Sequence, residues 1–214
     1  MYMLTLIERE IAVTLAEALA EYGIGEHLFE YDCFDEVENF YDWYDNNDLY
    51  QMGFRFSTGM TKVCITHRDL ENWVIKVGFN RHLAQDYAKR EYEVYRLAEQ
   101  VGLEYYFPET IYLGDFFGVS FYAQQMAECQ EDEVSADWYE RLTEQYDTYG
   151  EEYTDSDIWD IIYDMDDYEK VILCFNDEDL ANFLRKNVVG DLHEGNFGYI
   201  GDHLVIVDFS GYRG

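Results

Sequence analysis

Val189-Gly190-Asp191-Leu192-His193-Glu194-Gly195-Asn196, followed by Leu204-Val205-Ile206-Val207-Asp208-Phe209-Ser210-Gly211, is the stretch on which the fold of this chain turns. Asp191 precedes Asn196 by five positions, and the apolar run from Leu204 to Val207 reads as a strand that delivers Asp208 into a turn. One carboxylate able to take a proton, then an amide and a second carboxylate offering hard oxygen atoms, suit the handling of a hydroxyl beside a hard divalent cation. A lone D-x-x-x-x-N recurs by chance, and an aspartate after a strand also simply opens a turn. The pattern therefore takes its meaning from what lies upstream.

Upstream stands Trp73-Val74-Ile75-Lys76-Val77-Gly78, an apolar strand with a lysine at its centre. Burying that ammonium is costly without an anionic partner; the alternative is a half-exposed strand from which the lysine snorkels to water. A helix is expected from about Arg81 to Val101, because Leu83, Tyr87, Val94, Ala98 and Val101 recur at three- and four-residue steps. Glu91 falls on this stripe and Glu93 is turned away from it. Glu91 is thus the expected partner of Lys76, with Arg90 and Tyr87 competing for its carboxylate at the edge of the stripe.

Two hairpins flank these elements. Gly53 to Ile65 reads as strand, tight turn and strand, with Ser57, Thr58 and Gly59 at the turn. Backbone N–H groups and small hydroxyls at such a tip can wrap over phosphates, although G-x-G-x-x-G is missing and an ordinary hairpin has the same pattern. Phe107-Pro108-Glu109-Thr110 ends the helical pattern, and Ile111–Leu113 and Val119–Ala123, separated by Gly114 and Gly118, form a second hairpin leading into Gln124-Gln125-Met126-Ala127-Glu128-Cys129.

Taken together, Val74-Ile75-Lys76-Val77-Gly78-Phe79, Glu91, Asp191-Leu192-His193-Glu194-Gly195-Asn196 and Asp208-Phe209-Ser210-Gly211 resemble the motifs of the protein kinase-like superfamily, which also contains the aminoglycoside phosphotransferases. Within it the chain is most similar to the short serine/threonine kinases of tailed bacteriophages. The resemblance covers roughly Gly53 to Gly211. It implies an α+β, two-lobed kinase-like fold in which Lys76 and Glu91 form the nucleotide ion pair, Asp191 is the catalytic base, and Asn196 and Asp208 hold Mg2+. It also implies that Ser57, Thr58 and Gly59 lie over the ATP phosphates, and that backbone groups of Met126 and Ala127 meet the adenine edge. The sequence departs from the family in having Val189 where many relatives have histidine, and Ser210 in the third place of the D-F-G element. With Gly214 three residues beyond that element, the expected C-terminal lobe is a reduced one. The expected division is an N-terminal helical extension over 1–50, an N-lobe over 51–127 and a reduced C-lobe over 128–214.

The extension reads as two helices. One carries the stripe Leu4, Ile7, Ile11, Leu15, Ala18, Leu19 and Tyr22, ended at Gly23-Ile24-Gly25; the other runs from Glu26 to Leu49 with Leu28, Tyr31, Phe34, Val37, Phe40, Tyr41 and Tyr44. A further helix is expected from about Asp177 to Lys186, just before Asp191.

Hydrophobic residues make up 48% of the 214 and there is one proline, so the chain is expected to fold despite a net charge of −32. Eight of the fourteen Lys and Arg fall between Arg55 and Arg96 against five acidic residues, which leaves that segment at +3 and the remainder at −35. The basic charge is gathered where an anionic ligand is expected. From Gln130 to Glu169, sixteen Asp or Glu face the single Arg141, yet Trp138, Leu142, Ile158, Trp159, Ile161, Ile162 and Met165 interrupt them at helical steps. This segment reads as amphipathic helices with a charged outer face, serving solubility, docking of a basic protein partner, or mimicry of nucleic-acid charge. Direct nucleic-acid binding is not expected, since no basic stripe is present to release counterions. No run of eighteen apolar residues and no basic start ahead of a leader-like core occur, so neither a membrane span nor a secretory signal is expected. Cys33, Cys64, Cys129 and Cys174 are scattered without C-x-x-C spacing, as in reduced, mostly buried thiols of a cytoplasmic protein. The expected activity is ATP- and magnesium-dependent phosphoryl transfer to a hydroxyl, of a protein Ser/Thr or of a small molecule. The competing expectation is a non-catalytic pseudokinase whose acidic surface occupies a basic partner.

Overall fold

The computed structural model describes residues 4–25, 37–58, 62–78, 86–149 and 154–210. The chain is α+β with an antiparallel sheet, and it divides into two compact units, Met1–Tyr95 with Glu109–Met126, and Arg96–Pro108 with Ala127–Gly214.

In the first unit the five strands β1 (Phe54–Thr58), β2 (Lys62–His67), β3 (Leu70–Gly78), β4 (Thr110–Phe116) and β5 (Val119–Gln125) lie in the order β1-β2-β3-β5-β4, each antiparallel to its neighbour. The two expected hairpins are both present. The second closes through Phe117 and Gly118, at φ 51° and 82°. Two successive residues of positive φ match the right-handed twist of the flanking strands, which is why a glycine is needed at one of them.

Strand alternation gives the sheet two unlike faces. Val63, Ile65, Trp73, Ile75, Val77, Leu113, Phe121 and Ala123 point to one of them and are buried. Helix α1 (Leu6–Glu21) covers that face, started by a capping box in which Thr5 and Glu8 satisfy each other's backbone N–H. The helix turns Ala12, Ala16, Leu19 and Ala20 inward. That is a rotation from the expected stripe: Ile7 is 70% exposed, while Ile11 and Leu15 only flank the core. Small side chains let the helix axis approach the sheet closely, so alanines occupy the contact and the larger residues fall to its sides.

The expected second helix appears as α2 (Val37–Asn46) and a single turn α3 (Leu49–Met52); its first part, with Leu28, Tyr31 and Phe34, lies outside the described residues. It does not run unbroken to Leu49, because Asp48 adopts a left-handed φ of 52°, which short polar side chains tolerate better than others. Phe40, Trp43 and Tyr44 of α2 pack edge-on against Phe56, with ring centroids 5.3, 6.1 and 4.8 Å away. The Trp43 indole donates to the Tyr22 carbonyl at 2.7 Å and the Tyr44 hydroxyl to the Phe54 carbonyl at 2.8 Å, so the aromatics lock α1, α2 and β1 together.

Helix α4 (Tyr87–Val101) follows β3 and continues into the second unit. Its start within the expected span is later than Arg81; residues 79–85, including Leu83, lie outside the described residues. Tyr87, Val94 and Ala98 are buried as expected, and Val101, at the last turn, is 62% exposed.

The second unit contains α5 (Glu131–Tyr149), α6 (Asp155–Asp164), α7 (Asp167–Phe175), α8 (Glu178–Lys186) and a two-stranded hairpin of β6 (Phe197–Ile200) and β7 (His203–Ile206). The acidic segment is helical, as its periodicity requires: Trp138, Leu142, Ile158 and Ile162 are buried beneath the charged faces. Thr154 with Asp157, and Asp166 with Glu169, form capping boxes, so part of the acidic excess is spent at helix N-termini, where carboxylates stabilise. The Trp138 ring meets Phe197 at 90° and 5.5 Å, and its indole N–H donates to the Cys174 thiol at 2.7 Å. Burial pushes that thiol up to about 12. Of the other described cysteines, Cys64 is half-buried and Cys129 exposed, so the expectation of mostly buried thiols holds for Cys174 alone. Among the described residues no helix is long and apolar enough to cross a membrane.

Candidate functional site

The second face of the sheet is polar. Cys64 lies opposite Lys76 and Ser57 opposite Cys64, so these side chains share a face; Tyr122 opposite Lys76, and Gln124 opposite Thr110, extend it. Helix α4 crosses this face and sets Glu91, 0% exposed, among them. Lys76 Nζ reaches Glu91 Oε2 at 2.8 Å. The choice of Glu91 over Glu93 is thus the one the helix makes: Glu93 stays at the surface, 3.9 Å from Lys89.

The approach of α4 depends on Gly78. A Cβ there would collide with the Asp86 carboxylate and stand 3.0 Å from the Ala88 nitrogen. Asp86 accepts from the Lys89 N–H at 2.9 Å and so caps the helix start. Burial holds its carboxyl above the usual range, against the lowering effect of those backbone N–H groups. The glycine two places after Lys76 therefore lets the helix begin against the end of β3, which carries Glu91 back over the lysine.

Glu91 has a further partner that sequence reasoning missed. Lys62, the first residue of β2, brings Nζ to Glu91 Oε1 at 2.7 Å and is only 5% exposed. Gln124 Nε2 donates to Thr110 Oγ1 at 3.1 Å and lies 3.5 Å from Glu91 Oε2, closing a buried polar network. Ser57 is exposed on the same face; Gly59 and the side chain of Thr58 lie outside the described residues. Met126 follows β5, but its N–H already donates to the Asn72 carbonyl at 2.8 Å. Ala127 comes next, and Glu128 exchanges both its backbone bonds with Tyr199.

In the second unit, Asp191 has φ 61° and an exposed side chain. A left-handed backbone at a residue other than glycine costs on the order of 1 kcal/mol and persists only where its surroundings hold it. Here the hold is explicit. Asp167, at the start of α7, accepts from the N–H groups of Asp191 at 2.8 Å and Leu192 at 3.1 Å, and the Asn196 amide donates to the Asp191 carbonyl. Leu192 and Val189 are buried, and the Val189 N–H bonds the Leu184 carbonyl at 3.0 Å, tying the loop to the end of α8. Helix α8 occupies the span expected for it, capped by Asp177. The loop thus spends backbone and buried side chains on rigidity and leaves one carboxylate in solvent.

The β6–β7 hairpin carries the other two residues at its open end. Phe197 pairs with Ile206, and the Val207 N–H bonds the Asn196 carbonyl at 2.9 Å, so Asn196 and Asp208 follow one another across the hairpin's open end. With the Asn196 amide nitrogen donating to Asp191, its side-chain oxygen is the atom left to face a cation. Asp208 is half-buried and accepts from Ser210 Oγ at 3.0 Å, and Phe209 is anchored against Phe107 with ring centroids 4.8 Å apart. Gly211 lies outside the described residues. Among the described residues no three His, Cys, Asp or Glu gather as a metal site. One amide and one carboxylate suit magnesium in a different way, because it keeps waters and takes phosphate oxygens as its remaining ligands.

Neither a scan of protein-family models nor a search of curated proteins returned a match for the chain.

Proposed function

We propose that the protein is an ATP-dependent phosphotransferase of the kinase-like class. The observation that carries this reading is the buried ion pair of Lys76 and Glu91. A lysine held on a sheet by a helix carboxylate is oriented before any ligand arrives, and a fixed cation is what a transferred phosphoryl group demands. The α- and β-phosphates bind Lys76, with Ser57 beside the phosphates, and backbone groups of Met126 and Ala127 take the adenine edge. Asp191 accepts the proton of the acceptor hydroxyl as its oxygen bonds the γ-phosphorus and the bond to the β-phosphate oxygen breaks. The left-handed backbone at Asp191, held by Asp167, supports this role by fixing the point from which the carboxylate projects. Asn196 and Asp208 would hold Mg2+, which supplies neutralisation of the phosphate charge. The acceptor is a serine or threonine hydroxyl of a cytoplasmic protein, ahead of a small-molecule hydroxyl.

A second reading, favoured by the acidic outer faces of α5 and α6, is a non-catalytic pseudokinase that binds a basic protein partner. Thermal unfolding with and without Mg-ATP, followed by transfer of radiolabelled phosphate to the protein itself and to a basic generic substrate, separates the two. Under the first reading Mg-ATP raises Tm and label is transferred. Asp191→Asn keeps the stabilisation, since ligand binding alone produces it, and lowers turnover by about 10²- to 10⁴-fold. Stabilisation without transfer to any acceptor supports the second reading, and no stabilisation at all overturns the nucleotide site.

A further inference from the structure

We infer that Arg55 and Arg68 form an anion site where the chain passes from α3 through Gly53 into β1, and that this site takes a small phosphate monoester. It does not depend on the nucleotide reading above. A cavity of about 490 Å3 opens at this corner, lined among others by Tyr50, Gly53, Arg55, Arg68, Leu70 and Met126, all of the first unit. Arg55 pairs with Thr66, two places along from the pairing of Ser57 with Cys64, so its side chain extends the polar face of the sheet.

Two guanidinium groups in one cavity repel each other until an anion joins them. With 46 Asp and Glu and a net charge of −32, a carboxylate is the partner this chain could supply most easily. It supplies none: among the described residues neither arginine has a carboxylate within ion-pair distance. Both are held by neutral groups instead. The Arg55 guanidinium lies over the Tyr50 ring, 3.8 Å from its centroid, and Nη1 donates to the Phe54 carbonyl at 2.8 Å and the Tyr50 carbonyl at 3.3 Å. Arg68 lies along Gly53, where a Cβ would stand 3.0 Å from its Cγ, Cδ and Nε. These contacts orient both side chains and leave their charge uncompensated, so a ligand gives up little side-chain entropy on binding. Two forked cations match a phosphate monoester, at about −1.5 to −2, better than a singly charged carboxylate. The cavity is of small-molecule size, and Leu70 and Met126 give it an apolar wall for the organic part of an ester. Glu71, on the same wall, disfavours a second anionic group.

Calorimetric titration of the full chain with phenyl phosphate, inorganic phosphate and phenol tests this in wild type, Arg55→Gln, Arg68→Gln and Lys76→Met. Both arginines are exposed, so the fold tolerates their replacement. The expected result is saturable binding of phenyl phosphate by the wild type, weaker binding of inorganic phosphate and none of phenol. Each arginine substitution should lower phenyl phosphate affinity about ten- to a hundredfold, the loss of one charge-assisted bond, and Lys76→Met should leave it unchanged. No binding by the wild type, or affinity indifferent to both arginine substitutions, overturns the site. A loss confined to Lys76→Met also overturns it, by placing the ligand at Lys76, and equal affinity for inorganic phosphate overturns the ester assignment. Phenyl phosphate binding in a protein that does not bind Mg-ATP would sink the nucleotide reading and leave this site standing.

Discussion

The polar face of the sheet and the loop around Asp191 solve the same problem by opposite means. On the sheet, the group assigned to the ligand, Lys76, is itself buried and held by a side chain to side chain bond to Glu91, which also takes Lys62. In the loop, the group assigned to chemistry is exposed, and it is the backbone that is held, by Asp167 on two N–H groups and by Asn196 on the Asp191 carbonyl. A buried cation must be kept charged and aimed, which only an anion at contact distance achieves. An exposed carboxylate needs only a fixed point of attachment. The sheet site is therefore expected to couple function to stability, and the loop to separate them.

Asp191→Asn is the strongest test of that separation. Asparagine tolerates the left-handed backbone, so stability should stay within about 0.5 kcal/mol while turnover falls by about 10²- to 10⁴-fold. A matching loss of stability, seen by urea unfolding, breaks the comparison. Glu91→Ala is the converse: taking the shared carboxylate from two buried ammonium groups should destabilise the first unit by about 3 kcal/mol. A change below about 1 kcal/mol would mean that the sheet holds its lysines by other means. Asp167→Ala, which removes both bonds to the loop, should cost about 1–2 kcal/mol and lower turnover without touching a nucleotide contact; unchanged turnover shows that Asp191 needs no such support.

The smallest expected effect concerns acid. Asp177 accepts from the Tyr106 hydroxyl and, next in importance, from the Leu180 N–H, and both hold its carboxyl below the usual range. A folded-state value below the unfolded one adds stability that is fully present above pH ~3.9 and is lost as the pH falls through the folded value. Tyr106→Phe should therefore flatten the acid limb of the stability curve and leave the neutral region nearly unchanged. An unaltered acid limb would remove this pair from the account.

Glu91 was legible because a helical stripe can be counted along the chain: three- and four-residue steps place it inward and Glu93 outward. The α8 span and the amphipathic character of the acidic helices were legible for the same reason. Lys62 was not, since its meaning depends on strand register, and only the pairing of Cys64 with Lys76 reveals that the two lysines are neighbours. Asp167 was hidden more completely. It is one acid among sixteen from Gln130 to Glu169, and its bonds to Asp191 and Leu192 span 24 and 25 residues with no local pattern to mark them. The face of α1 was misjudged because size was read as burial. Close packing on a sheet favours Ala12 and Ala16 over Ile7.

The central claim is the proposal that the protein binds a magnesium-bound nucleotide. Calorimetric titration of ATP, with and without magnesium, into wild type, Lys76→Met and Asp208→Asn tests it most directly. The account predicts saturable ATP binding that magnesium strengthens, weaker binding in Lys76→Met, and loss of the magnesium effect in Asp208→Asn. ATP binding that is indifferent to magnesium and to both substitutions, or no binding by the wild type, would contradict it.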